Sequence, residues 1–200
     1  MIKVSRMTGK LDGLAAINTN TLSNEFCQQQ HAAGKTICGQ CYSVRMLQQH
    51  RQNCVEPWER NSQALARPIT DLELAALADR LRNLRFVRFH GHGELQNRDH
   101  LRNFFRIAAA LPGTTFTLWT KRADLVRSVA RSGPIPANLI LIYSNPRTDR
   151  VRSEPPRHFH KVFNNTRAAD PRDNCTGRKC LDCLNCYQAT GPVSIIEIVK

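Results

Sequence analysis

The 200-residue sequence predicts an α/β fold, a partial or compact (β/α) barrel with parallel strands and cysteine-rich loops over the strand C-terminal ends. Three observations predict it. The middle of the chain alternates strand-like and helix-like segments. The stretches that follow the strands are polar or charged. Eight cysteines fall into two tight groups, one near each end, and none lies between positions 55 and 174.

The first forty residues are rich in loop signals, with a short strand expected in Gly13–Thr19. Gln40–Gln52 reads as a helix that begins inside a cysteine motif. Pro57 suits a first helical turn, which sets a second helix over Pro57–Ala66. Thr70 is a good N-cap for a third helix, whose apolar face is Leu72, Leu74, Ala75, Leu77, Ala78 and Leu81. Then come a strand at Phe86–His90, a helix at Asp99–Ala110, a β-branched strand at Thr114–Thr120, a helix at Ala123–Ser132 and an apolar strand at Asn138–Ser144. This spacing implies βαβ units and a parallel sheet. Lys161–Phe163 and Ser194–Val199 add two further strands. A full eight-fold barrel takes about 250 residues, so this chain fits only a partial one.

The length fits one domain: an N-terminal cysteine loop and helix over 1–56, a β/α core over 57–170, and a C-terminal cysteine segment with a final strand over 171–200. No apolar run approaches the roughly 18 residues of a membrane span. The start, Met1–Lys10, is polar and basic, so a reducing cytoplasm is expected. The formal charge of +13 suggests an anionic partner such as nucleic acid, a phosphorylated cofactor or an acidic protein, or else a solvated basic surface. The densest group, Arg80, Arg82, Arg85 and Arg88, reads equally well as solvent-facing.

Cys27, Cys38, Cys41 and Cys54 form the first cysteine group; Cys175, Cys180, Cys183 and Cys186 form the second, spaced C-x4-C-x2-C-x2-C. Turns that aim several thiolates at one place suit a metal or an iron–sulfur cluster. Successive x2 intervals favour a [4Fe–4S] cubane, one or two per chain, and zinc is the rival. Cys54 is either a fourth ligand or a packing residue. With three ligands, one iron is left open to a small ligand. With four, the centre is closed.

The strand ends read His90-Gly91-His92-Gly93-Glu94, Thr120-Lys121-Arg122, Ser144-Asn145 and Asn164-Asn165. In parallel sheets chemistry gathers at such ends. Gly91, His92, Gly93, Glu94 and Lys121 are therefore the expected cofactor-binding residues, with Glu94 placed to hold an ammonium group and the glycines to admit a close ligand. His90 and His92 are expected to face opposite sides, and His158 and His160 share their spacing. His31, His50 and His100 read as surface or satisfied histidines. No catalytic residue is assigned.

These motifs resemble a phage-encoded family, the gene product 88-like proteins. The resemblance rests on Cys27, then Cys38-x2-Cys41-Tyr42, on Asn61 in Trp58-Glu59-Arg60-Asn61, on His90–Glu94, on Trp119-Thr120-Lys121, on Pro136–Ser144 and on Cys175–Cys186. His92 stands where that family has Ser, and Glu94 where it has Asp. The resemblance implies a phage or prophage origin and the fold. Cys38-Gly39-Gln40-Cys41 and Gly91-His92-Gly93-Glu94 are more distantly similar to parts of radical S-adenosylmethionine enzymes. That similarity implies a [4Fe–4S] centre on a partial barrel and S-adenosylmethionine as a ligand. The expected function is thus a phage iron–sulfur protein, radical-SAM-like or binding a small polar ligand such as an amino acid. The alternative is a zinc- or cluster-stapled basic module that binds nucleic acid or a host protein, without enzymatic activity.

Overall fold

A computed structural model of the chain describes residues 1–199; Lys200, the last residue of the expected C-terminal segment, lies outside the described residues. Seven strands and seven α-helices follow one another along it. They are β1 (Ser5–Arg6), β2 (Ala15–Ile17), α1 (Glu25–Ala33), α2 (Tyr42–Gln49), α3 (Val55–Leu65), α4 (Asp71–Leu81), β3 (Phe86–Phe89), α5 (Arg98–Ala109), β4 (Thr115–Thr120), α6 (Ala123–Val129), β5 (Leu139–Ser144), β6 (Lys161–Thr166), α7 (Cys180–Cys183) and β7 (Ser194–Ile198). Short 3-10 turns at Gly9–Leu11, Ile37–Gln40 and Gln52–Cys54 join them.

All seven strands belong to one sheet whose spatial order follows the chain. β1 runs antiparallel to β2, and every later neighbour pair is parallel. Among the described residues no pairing joins β1 to β7, so the sheet is open and the expected barrel is not closed. The alternation of each strand divides the core in two. On one face Ile17, Val87, Phe89, Phe116, Leu118, Leu139 and Leu141 pack with Leu65, Leu77, Leu81, Leu101, Phe104 and Val126 from the helices. On the other face Ala16, Trp119, Ile140 and Ile142 meet Met7, Leu14 and Tyr187, with Cys180, Leu184 and Cys186 against them. The C-terminal cysteine segment thus packs on a sheet face.

Local chemistry sets the helix starts. Thr70 Oγ1 accepts from Glu73 N at 3.2 Å, and the Glu73 carboxylate accepts from Thr70 N at 2.8 Å. That capping box starts α4 where the sequence places it. The Asn97 side chain accepts from His100 N at 2.9 Å and starts α5. Among the described residues no helix is long and apolar enough to cross a membrane.

Candidate functional site

Three caps build the N-terminal cysteine group. The Asn24 side chain accepts from Cys27 N at 3.1 Å, which places Cys27 in the first turn of α1. Thr36 Oγ1 accepts from Cys38 N at 3.3 Å and starts the 3-10 turn that carries Cys38. Cys41 is the cap before α2. His31 Nδ1 bonds Cys38 O at 2.8 Å and ties α1 to this loop. Ile37 N donates to Pro146 O at 2.9 Å and ties the loop to the chain just beyond β5. Gly39 is needed where the two turns touch, since a Cβ there would lie 2.9 Å from Gly34 Cα.

Charge shows which side chains share this neighbourhood. Burial pushes the Cys27 thiol up, and the charges of Glu94, Cys41 and Cys38 push it further, against Lys121. Burial lowers the Lys121 ammonium, but Cys38, Glu94, Cys41 and Cys27 outweigh it and the net direction is up. Cys27, Cys38, Cys41, Glu94 and Lys121 are therefore near enough to feel one another's charge. Cys54 sits before α3, with its N–H bonded to Arg51 O at 2.9 Å, and no hydrogen bond among the described residues draws it into the trio.

Glu94 is buried and held by its own chain. Its carboxylate accepts from Leu95 N at 2.8 Å, Thr120 Oγ1 at 2.5 Å and Lys121 N at 2.8 Å. It clamps the end of β4 to the loop after β3. The glycines beside it serve the same packing. A Cβ on Gly93 would lie 2.0 Å from Thr19 Oγ1, and one on Gly91 would lie 2.9 Å from Asn18 Oδ1. The sequence suggested a close ligand at these glycines; in the structure Asn18 and Thr19, just after β2, lie against them. His92 is buried, bonded through Nε2 to Tyr42 Oη at 2.8 Å and through Nδ1 to Ser43 Oγ at 2.9 Å. Its ring stacks on Trp58 at 4.6 Å. Burial, with the charges of Arg88 and Arg51, lowers its pKa to about 4, so the imidazole is neutral. His90 turns away to His100, with Nε2 atoms 3.3 Å apart. His160 Nδ1 is occupied by Leu141 N at 2.9 Å.

The four C-terminal cysteines line a single cavity with Lys10, Tyr187 and Ile195. Leu184, in the left-handed conformation at φ 55°, ends α7 and turns the chain toward Cys186. Asn174 clips the segment to β7: its Oδ1 accepts from Ile196 N at 3.0 Å and its Nδ2 donates to Ser194 O at 2.9 Å. Lys10 Nζ donates to Cys175 Sγ at 2.8 Å and pairs with Glu197. Burial pushes the Cys186 thiol up to about 12, against the charge of Arg88 and helped by the other three thiols. All eight cysteines are free thiols. Among the described residues no three His, Cys, Asp or Glu side chains form a group that could hold a metal ion.

The family model described as Gene product 88 matches residues 5–192, from β1 to past α7 and across both cysteine groups. The chain belongs to the gene product 88 family. No curated protein and no solved structure matches it. In this gene product 88 member, Lys10 and Arg88 lie beside the C-terminal cysteines, and the sequence singled out neither for that place. Arg88 is half-buried. It lies in register with Ala16 and Thr117, its guanidinium 3.7 Å from the centre of the Trp119 ring. Lys10 and Cys175 meet across 165 positions, and no local pattern signals that.

Proposed function

We propose that this gene product 88 family member is an iron–sulfur protein with two [4Fe–4S] centres, one on Cys27, Cys38 and Cys41 and one on Cys175, Cys180, Cys183 and Cys186. The observation that carries this is the cavity lined by all four C-terminal cysteines. Cys27, Cys180 and Cys186, raised by burial, are poor nucleophiles, because the thiolate is the reactive form. Metal coordination deprotonates such thiols outright, so their grouping suits ligation better than nucleophilic chemistry. A buried set of thiolates also needs positive charge nearby, and Lys10 and Arg88 serve the second group as Lys121 serves the first. The C-x4-C-x2-C-x2-C spacing of the C-terminal thiols favours a cluster over zinc.

A [4Fe–4S] centre supplies one-electron transfer, and an iron without a cysteine ligand supplies a Lewis-acid position. In the N-terminal site Lys121 offsets thiolate charge, and Glu94 fixes the Lys121 backbone. S-adenosylmethionine is the first ligand to test there. We read the open sheet, with strands in chain order, as part of a (β/α) barrel acting in the reducing cytoplasm of an infected host. The deciding experiment is anaerobic purification with iron, acid-labile sulfide and zinc analysis. About eight irons and eight sulfides per chain are expected. Stoichiometric zinc without sulfide sinks the proposal and leaves a zinc-stapled basic module.

A further inference from the structure

A second cavity, of about 510 Å³, opens beside the N-terminal cysteine group. Its volume is within the usual range for small-molecule sites. It lies between the first turn of α1, the loop after β3 and the start of α6, with Glu25, Phe26, Gln29, Gln96, Arg122 and Asp124 among its walls. Cys27 directly follows Phe26, so the cleft adjoins that site.

In this cleft Arg122, Asn24 and Ser23 engage their donors within the protein, whereas the Gln29 and Gln96 side-chain amides keep theirs free among the described residues. Arg122 gives Nε and Nη2 to Asp124 at 2.9 and 2.7 Å and Nη1 to Leu95 O at 3.2 Å. Asn24 Nδ2 donates to Glu94 O at 2.9 Å, and the Ser23 hydroxyl donates to Glu59. Two of the cleft's acceptors are without partners. Gln96 Oε1 is buried with no hydrogen-bond partner among the described residues. Glu25 is exposed and makes no hydrogen bond or ion pair among them. Two carboxylates, Glu25 and Asp124, face one guanidinium, so the lining is net negative in a chain of net charge +13. An orphaned buried acceptor beside an unpaired carboxylate calls for a charged N–H donor, and the Phe26 ring adds an apolar wall.

We infer that this cleft is a binding site for a small molecule with a primary ammonium group on a short apolar stem, held by Glu25 and Gln96 Oε1. The inference does not need a cluster to be present. The test is calorimetric titration of the anaerobically purified protein with putrescine, and with succinate as its anionic counterpart of similar length. Putrescine should bind one to one and succinate should not. Glu25→Gln should weaken putrescine about tenfold, as expected for loss of one charge-assisted bond. Gln96→Leu should weaken it as well, and Asp79→Asn, an exposed charge elsewhere, should leave it unchanged. Equal binding of succinate, or unchanged putrescine affinity in Glu25→Gln, overturns the assignment. Iron and sulfide measured on the same samples report on the clusters separately, so failure of either conclusion is visible without the other.

Discussion

The Arg88 guanidinium lies 3.7 Å from the centre of the Trp119 ring, on the sheet face that the C-terminal cysteine segment covers. A charge there is held by stacking, by a 3.3 Å bond from Nε to His90 O, and by the nearby sulfurs. Arg88→Met keeps the stem but removes the cation–π contact and the charge. The expected loss is about 1–2 kcal/mol of stability, together with reduced metal retention. Arg88→Lys should recover metal retention more fully than stability, because it restores charge without the planar stack. Denaturant unfolding and metal analysis check both. Metal content that is unchanged in Arg88→Met would show that the charge does not serve the thiols.

Gly93 is in the left-handed region at φ +102°, and the place of its missing Cβ is 2.0 Å from Thr19 Oγ1 and 2.7 Å from Thr19 O. Gly93→Ala therefore adds backbone strain to a clash and should cost about 3 kcal/mol or more. Thr19→Ala removes only the side-chain part of the clash, so the double substitution should remain well below the parent in thermal unfolding. Full rescue would mean that the backbone at this loop moves freely.

Much of this fold was legible because local signals agreed. Thr70-x-x-Glu73 is a capping box, and it caps α4. Thr115–Thr120 is β-branched and aromatic, and it forms β4. α1 was missed because its residues, EFCQQQHAA, include no buried side chain and so show no apolar period. Arg88 was left open between a basic patch and a solvent-facing group. Only the return of a segment about a hundred residues later makes both faces of that strand interior. Within the candidate site, the spacing that brings the four C-terminal cysteines to one cavity was legible. The use of Glu94 was not, since a carboxylate after two glycines looks the same whether it binds a ligand or the backbone of β4.

The pair His90 and His100 should make stability fall with acid. Burial pushes His100 down to about 3 and is the main cause that holds His90 well below its ordinary value, with the charge of His100 adding. Both folded pKa values are below the unfolded value of about 6.5, so protons bind the unfolded chain better. The stabilisation is complete above about pH 6.5 and is lost as pH falls toward about 3. Each imidazole contributes a slope of about 1.4 kcal/mol per pH unit in that window. Urea unfolding between pH 7.5 and 5, above most carboxylate titration, should show this fall, and His100→Gln should flatten it. An equal slope in the variant would mean that His100 is protonated in the folded protein.

Single cysteine substitutions separate the two centres. Cys183→Ser opens the C-terminal cavity, whose lining includes Leu184, Cys186 and Tyr187 packed on the sheet. Metal binding and folding are coupled where ligands meet only in the folded chain. Cys183→Ser should therefore remove about half of the iron and also lower the unfolding temperature. Cys38→Ser should remove the other half at a smaller cost in stability, because its loop is tied to the body mainly by Ile37 N to Pro146 O and His31 to Cys38 O. Cys54→Ser should keep all of the iron, since Cys54 stands at the start of α3 apart from the trio's hydrogen bonds. Loss of all iron from any one substitution would point to one shared centre. Iron lost in Cys54→Ser alone would make it the fourth ligand and close the N-terminal site to small molecules.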